Sequence, residues 1–169
     1  MRTSQQWKRN VLHVSAALLT TAVFANAWAN QPGRMTGGGS IICPDIGRVT
    51  HGFELHCATD VPNYASPPGP NNLEINFSGG DNFHLTELTY AYCHSELDPT
   101  PPSAWFNTLD GQGTGTFNGN PAEIFFVVDD AGEPGTLDRA SFLINSGGST
   151  VLFCSNLLEF GNQQAHKSK

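Results

Sequence analysis

The fold class follows from the stretch Arg48-Val49-Thr50-His51-Gly52-Phe53-Glu54-Leu55-His56-Cys57. Successive side chains of a β-strand point to opposite faces, so residues two apart share a face. One face here collects Val49, His51, Phe53, Leu55 and Cys57, and the other collects Thr50, Gly52, Glu54 and His56. This period of two predicts a half-buried strand whose apolar face lies on the core.

Seven further runs rich in Ile, Val, Phe, Tyr and Thr lie between dense Gly and Pro turn signals, which leaves little room for helices. The chain is therefore predicted to be all-β, an antiparallel β-sandwich of about eight strands. The strands are expected near 34–42, 48–57, 72–77, 83–93, 112–118, 122–129, 138–145 and 150–158. Residues 123–128 are largely apolar on both faces, which predicts a central strand covered on both sides.

The segments between these strands are predicted from their turn residues. Residues 58–71 and 98–103 are rich in Pro and lack periodicity, so both are expected to be surface loops. The stretch Gly111-Gln112-Gly113-Thr114-Gly115 opens a strand rather than a helix, so it lacks the helix N-terminus that would hold a phosphate. We predict a flexible turn there.

Residues 1–29 have the organisation of a secretory signal peptide. A basic start is followed by an apolar run and by Ala27-Trp28-Ala29, which predicts cleavage after Ala29. The apolar run is shorter than the roughly 20 residues of a membrane span. The prediction is a signal peptide at 1–29, a single β-sandwich domain at 30–169, and a secreted, periplasmic or cell-surface location without a membrane span.

The four cysteines all follow the predicted cleavage site. In an exported domain an even number of cysteines favours disulfides, and four cysteines allow three pairings. We favour Cys57 with Cys93 and Cys43 with Cys154. A zinc site is the alternative, but zinc ligands usually come in close pairs, and these cysteines are widely spaced.

The mature chain is acidic. Loss of residues 1–29 removes three of the eight basic residues and none of the fifteen acidic ones, which takes the net charge from −7 to about −10. Nucleic acids and anionic lipids are held chiefly by Lys and Arg. The composition therefore argues against both as partners.

Four segments carry a resemblance to a known family. They are Gly33–Gly39, Arg48–Phe53, Asp130–Asp138 and Gly161–His166, and in this order they resemble the small secreted prokaryotic β-domain of the post-COAP type. The resemblance implies a β-rich accessory module of extracellular proteins, with no established reaction. The chain departs from the pattern at Cys43 and Cys154, which an added bridge between the first and last strands would explain.

The best candidate for a ligand site is the oxygen-rich segment 129–138. Its carboxylates are Asp129, Asp130, Glu133 and Asp138, and Ca²⁺ binds six to eight oxygens of this kind. The spacing is not that of an EF-hand. The alternative interpretation is a hairpin turn in which Asp138 accepts backbone N–H bonds.

Other side chains indicate weaker candidate sites. The mature histidines are His51, His56, His84, His94 and His166, and Glu54 shares a strand face with His56, a spacing that metal sites use. Glu54, Glu74 and Glu87 could supply the carboxylate pair of a glycoside hydrolase. Tyr90 and Tyr92, with Trp105 and Phe106, could form a platform on which sugars stack.

No sequence motif for a nucleophile elbow or a phosphate loop is present. We therefore predict a non-enzymatic extracellular or cell-surface module for adhesion or assembly, with calcium as a candidate stabiliser. Its expected partner is an extracellular protein or polysaccharide, or a second copy of the chain. A carbohydrate-binding domain and a small secreted hydrolase are the alternatives.

Overall fold

The computed structural model describes residues 33–57, 69–95 and 104–167, which form nine antiparallel strands. The strands are β1 (Gly33–Cys43), β2 (Gly47–Cys57), β3 (Asn72–Phe77), β4 (Asp81–His94), β5 (Thr108–Phe117), β6 (Asn120–Asp129), β7 (Arg139–Ser146), β8 (Ser149–Leu157) and β9 (Phe160–Lys167). A short 3₁₀ turn at Ser78–Gly80 joins β3 to β4. The all-β, antiparallel class is confirmed. The predicted signal peptide, the loop at 98–103 and nearly all of the loop at 58–71 lie outside the described residues.

The strands belong to one curled sheet with the order β8-β7-β6-β5-β4-β3-β2-β1-β9. The predicted β-sandwich of about eight strands is therefore not confirmed, since the nine strands form a single curled sheet. Period-two patterning shows that a strand has a buried face, but it does not show what covers that face. Here the curled sheet covers its own inner face, and no second sheet is needed.

The curl brings the two ends of the sheet together. Cys43 of β1 forms a disulfide with Cys154 of β8, and their Cα atoms are 5.7 Å apart. The side-chain amide of Asn156 donates to the carbonyl of Ile42 at 2.9 Å, and the backbone N–H of Glu159 donates to the carbonyl of Ser40 at 2.8 Å. β8 therefore pairs with β7 at one end of the sheet, and the chain then crosses to the other end, where β9 pairs with β1.

The second disulfide joins Cys57 of β2 to Cys93 of β4, with a Cα separation of 5.9 Å. In the sheet β3 lies between these strands, but it begins at Asn72, which pairs with Glu54. The bridge therefore ties β2 to β4 beyond the start of β3. Both disulfides have the pairing that the sequence favoured.

The concave face of the sheet holds the core. It is filled by Ile, Leu, Val and Phe from all strands except β9, which contributes Ala165. On β2 the five residues predicted to face inward are all buried. On β6 the prediction of two covered faces is wrong for Phe125, which is 39% exposed on the convex face.

The glycines of β5 fit the core and do not form a flexible turn, so that prediction is wrong. Gly111, Gly113 and Gly115 lie on the concave face of a regular strand. A Cβ at Gly111 would collide with the ring of Phe126, and one at Gly115 would lie 2.7 Å from the ring of Phe83. Absence of a side chain leaves the volume that large neighbours occupy.

Candidate binding surface

The acidic segment between β6 and β7 lies along the free edge of β9. The backbone N–H of Ala165 donates to Asp130 Oδ2 at 2.8 Å, and that of Gln163 donates to Asp138 Oδ2 at 2.7 Å. Both aspartates are almost fully buried. An exposed sheet edge offers unpaired N–H groups to other chains. The two carboxylates therefore cap the edge of β9.

The second oxygens of Asp130 and Asp138 and one oxygen of Glu133 also accept hydrogen bonds. Asp130 Oδ1 accepts from the N–H of Gly132 at 2.9 Å, and Asp138 Oδ1 accepts from that of Ala131 at 2.8 Å. Glu133 Oε1 accepts from the side-chain amides of Asn162 and Gln164 at 2.9 and 2.8 Å. These contacts match the alternative of a turn stabilised by N–H bonds.

A cation at this segment would compete with N–H donors for the same oxygens. Within the described residues, no group of three or more His, Cys, Asp and Glu side chains is arranged to hold a metal ion. Burial raises the pKa of Asp138 to about 6, although the N–H bonds from Gln163 and Ala131 act in the opposite direction. Calcium binding by Asp129, Asp130, Glu133 and Asp138 stays a prediction.

The five histidines of the predicted metal sites are distributed over the molecule. His51 is buried on the concave face, where desolvation lowers its pKa to about 4 and keeps the ring neutral. His56 Nε2 lies 4.0 Å from Glu54 Oε1 on the convex face, as their shared strand face predicted. His84 contacts Glu74, His94 Nε2 lies 3.0 Å from Asp110 Oδ2, and His166 Nε2 lies 2.8 Å from Thr36 Oγ1.

The candidate hydrolase carboxylates lie on the outside of the sheet. Glu54 pairs with Arg34 at 3.1 Å, and Glu74 pairs with His84. Glu87 lies on β4 opposite Thr114 of β5. Glu54 and Glu74 are each engaged by a basic partner on the convex face.

The aromatic candidates lead to a different surface. Five side chains stand in one row across five adjacent strands, because each is the register partner of the next. They are Tyr90 of β4, Gln112 of β5, Phe125 of β6, Leu143 of β7 and Phe153 of β8. We call this set the convex-face row. Phe125 is 39% exposed and Phe153 is 70% exposed, so the row presents apolar surface to solvent.

A shallow cleft of about 310 Å³ follows the row and is lined by Tyr90, Phe125 and Leu143 together with polar Asp110 and Ser141. Beside it the Tyr92 ring stacks on His94 with a centroid distance of 4.7 Å. A second groove of about 520 Å³ lies on the opposite side of the row and is lined by Thr86, Thr114, Glu123 and Asn145, among others. The apolar row is thus bordered by hydrogen-bonding side chains on both sides.

Only part of the predicted sugar platform is present on this surface. Tyr90 and Tyr92 share the convex face as predicted. Phe106 instead is buried in the core beside Gly33, whereas Trp105 is 46% exposed. Leu143 and Phe153 were not among the residues predicted from the sequence for this surface. The signal that could have found them is the apolar residue at outward positions of β7 and β8.

Comparison of the chain with family models, with curated proteins and with solved structures finds no match. The resemblance to the post-COAP type of domain therefore stays a prediction. Along the described part of the chain, no helix has the length and apolar character needed to cross a membrane.

Proposed function

We propose that this chain is a non-enzymatic extracellular or cell-surface β-module that acts in adhesion or assembly, and that the convex-face row is its contact surface. The observation that carries the proposal is the row itself. Four of its five members are aromatic or aliphatic, and they cross five strands without a charged residue between them. Contiguous exposed apolar surface with a polar border is typical of interaction sites.

The energetics of the row support a contact role. Burial of a Phe or Leu side chain contributes about 1.5–3 kcal/mol relative to exposure. Phe153 is 70% exposed and Phe125 is 39% exposed, so the isolated chain does not gain the full free energy of burying these two side chains. A partner that covers the row would gain the remainder. Aromatic residues are enriched in the energetically important centres of interfaces for the same reason.

An extracellular location is consistent with the two disulfides, because such bridges persist in oxidising compartments. It also agrees with the predicted signal peptide. The resemblance to a secreted accessory domain points to the same class of function. Calcium bound by the acidic segment is the candidate stabiliser within this proposal, and titration calorimetry with CaCl₂ tests it directly.

Polysaccharide binding is the second candidate function, and the cleft beside Tyr90 favours it. The Tyr90 ring offers an apolar face, and Asp110, Gln112 and Ser141 offer hydrogen-bonding groups within the same cleft. Binding sites of this kind combine apolar walls with a few placed polar groups. A polysaccharide would then occupy the same convex face as a protein partner.

The test uses the mature oxidised chain, with Phe125→Ser as the variant and Leu137→Ser as the matched control. Leu137 is 65% exposed in the segment between β7 and β6 and lies outside the row. Sedimentation with insoluble cellulose, chitin and peptidoglycan measures polysaccharide binding, and size exclusion at several concentrations measures assembly. Loss of binding or assembly in Phe125→Ser alone supports the proposal. Equal behaviour of the two variants contradicts it.

A further inference from the structure

One segment of the chain carries a motif that the proposed contact surface does not use. The sequence Asn76-Phe77-Ser78 is an Asn-x-Ser/Thr triplet whose middle residue is not Pro, and the chain contains no second triplet of this kind. In an exported protein such a triplet is the acceptor for N-linked glycans, and its asparagine lies on the surface. Export is predicted from residues 1–29 and is consistent with the two disulfides.

The fold places Asn76 where a glycan can be attached. Asn76 is the penultimate residue of β3, and its side chain is exposed on the convex face, whereas Ile75 and Phe77 on either side are buried. The 3₁₀ turn begins two residues later, at Ser78. An asparagine on the concave face would exclude a sugar, because a close-packed core has no space for one. The orientation of Asn76 therefore meets the structural requirement of the motif.

The neighbours of Asn76 across the sheet are compatible with an attached sugar. Its register partners are Thr50 of β2 and Asn82 of β4, and both are exposed on the convex face. Thr50 Oγ1 donates to the backbone carbonyl of Asn76 at 3.3 Å, so this contact does not involve the side-chain amide. A glycan on Asn76 Nδ2 therefore projects over a polar part of the sheet.

We propose that Asn76 is glycosylated during export. Its side-chain nitrogen attacks the anomeric carbon of a glycan carried on a lipid pyrophosphate. The N–C bond forms, the C–O bond to the pyrophosphate breaks, the lipid pyrophosphate leaves, and a base of the transferase takes one amide proton.

The order of events follows from the sheet. Asn76 pairs with a neighbouring strand on both sides, so in the folded chain it is held between β2 and β4. A transferase that binds the triplet in its own active site reaches it only before these pairs form. Transfer therefore precedes the entry of β3 into the sheet. Glu74 stands two residues before Asn76, so the transferase is one that accepts an acidic residue at that position.

The glycan and the proposed contact surface occupy different parts of the convex face. Asn82, the register partner of Asn76, and Tyr90, the first member of the convex-face row, lie toward opposite ends of β4. Their separation is roughly 25 Å at the usual rise of a strand. An N-linked glycan is bulky and hydrophilic. At Asn76 it keeps partners away from the neighbouring parts of β2 and β3 and leaves the row accessible.

The experiment determines the mass of one peptide of the mature chain, purified from the cells that export it. Cleavage after glutamate releases residues 75–87, which contain the whole triplet. We expect this peptide to carry the added mass of a glycan, and fragmentation to locate the glycan on Asn76. Asn76→Gln and, independently, Ser78→Ala should lose the added mass, whereas Ser78→Thr should retain it. Asn72→Gln changes an exposed asparagine on the same face of β3 and is the matched control, which should also retain it.

A glycosylated fraction of any size that Ser78→Ala abolishes supports the proposal. The absence of added mass on every wild-type peptide, or an added mass that persists in Ser78→Ala, would overturn it. Circular dichroism verifies that each variant folds, and two variants at different residues keep the test valid if one does not. If the wild-type peptide is unmodified while Phe125→Ser still abolishes polysaccharide binding, the glycosylation site fails and the proposed contact surface stands.

Discussion

Replacement of Asp130 by alanine tests the role assigned to the acidic segment. Its carboxylate accepts N–H bonds from Ala165 at 2.8 Å and from Gly132 at 2.9 Å. A hydrogen bond to a charged acceptor contributes about 1.5–3 kcal/mol, and a buried donor left without an acceptor costs about 1–3 kcal/mol. Ala165 is fully buried, whereas Gly132 is half-buried and is open to water after the substitution.

These contributions give an expected loss of about 3 kcal/mol in the free energy of unfolding. Urea denaturation at neutral pH measures it, and Asp45→Ala in the exposed β1–β2 turn is the control, with an expected change within about 0.5 kcal/mol. Asp130→Asn keeps one acceptor oxygen and should lie between the two. Exchange of the Ala165 amide should accelerate by about 100-fold, since about 1.4 kcal/mol corresponds to a factor of ten.

An Asp130→Ala protein as stable as Asp45→Ala would refute the capping role. It would mean that the N–H groups of β9 find other acceptors when the carboxylate is removed. If Ca²⁺ stabilises the wild type but does not stabilise Asp130→Ala, the result would instead favour the predicted cation site.

Three other predictions concern the closure and the core. Removal of the bridge by Cys43→Ala with Cys154→Ala, which are 111 residues apart, should cost about 5 kcal/mol by chain entropy, measured by urea denaturation of the oxidised protein; a loss below about 1 kcal/mol would contradict this. Burial lowers the pKa of His51 from 6.5 to about 4, so the fold favours the neutral ring. Stability should therefore fall by about 3 kcal/mol more in the wild type than in His51→Gln as the pH drops from 6.5 to below 4, and parallel pH profiles would show that His51 does not titrate this way. Gly111→Ala should cost about 1–3 kcal/mol because its Cβ meets an aromatic ring. Gly52→Ala, with open space around its Cβ, is the control, and equal stability of the two variants would exclude the steric explanation.

Most strands were predictable because their side chains alternate. The inward face of β2 and the bounds of most strands follow from this pattern within a few residues. Two disulfides were predicted because an even number of cysteines after a predicted signal peptide favours bridges. The alternation of side chains could not predict what packs against each buried face, because a strand has the same pattern in a curled sheet and in a sandwich.

β9 was missed for a physical reason that its sequence shows. Phe160–Lys167 reads FGNQQAHK and contains no β-branched residue, so intrinsic preference gives no strand signal. The strand forms because β1 supplies one edge and the two buried aspartates supply the other. The acidic segment was located correctly as a turn, but its target on β9, 25 or more residues away, could not be inferred from local sequence.

The pairing of β1 with β9 also sets the order of folding. Gly33 pairs with Lys167, so the first strand acquires its second neighbour only after nearly the whole polypeptide has emerged. Contacts between such distant segments are slow to form, because a long loop must close before any contact compensates for its entropy. Until then, both rims of the nascent sheet are open to neighbouring molecules. Formation of the Cys43–Cys154 disulfide would stabilise the product of this final step, and unfinished chains should aggregate most readily just before the disulfide forms.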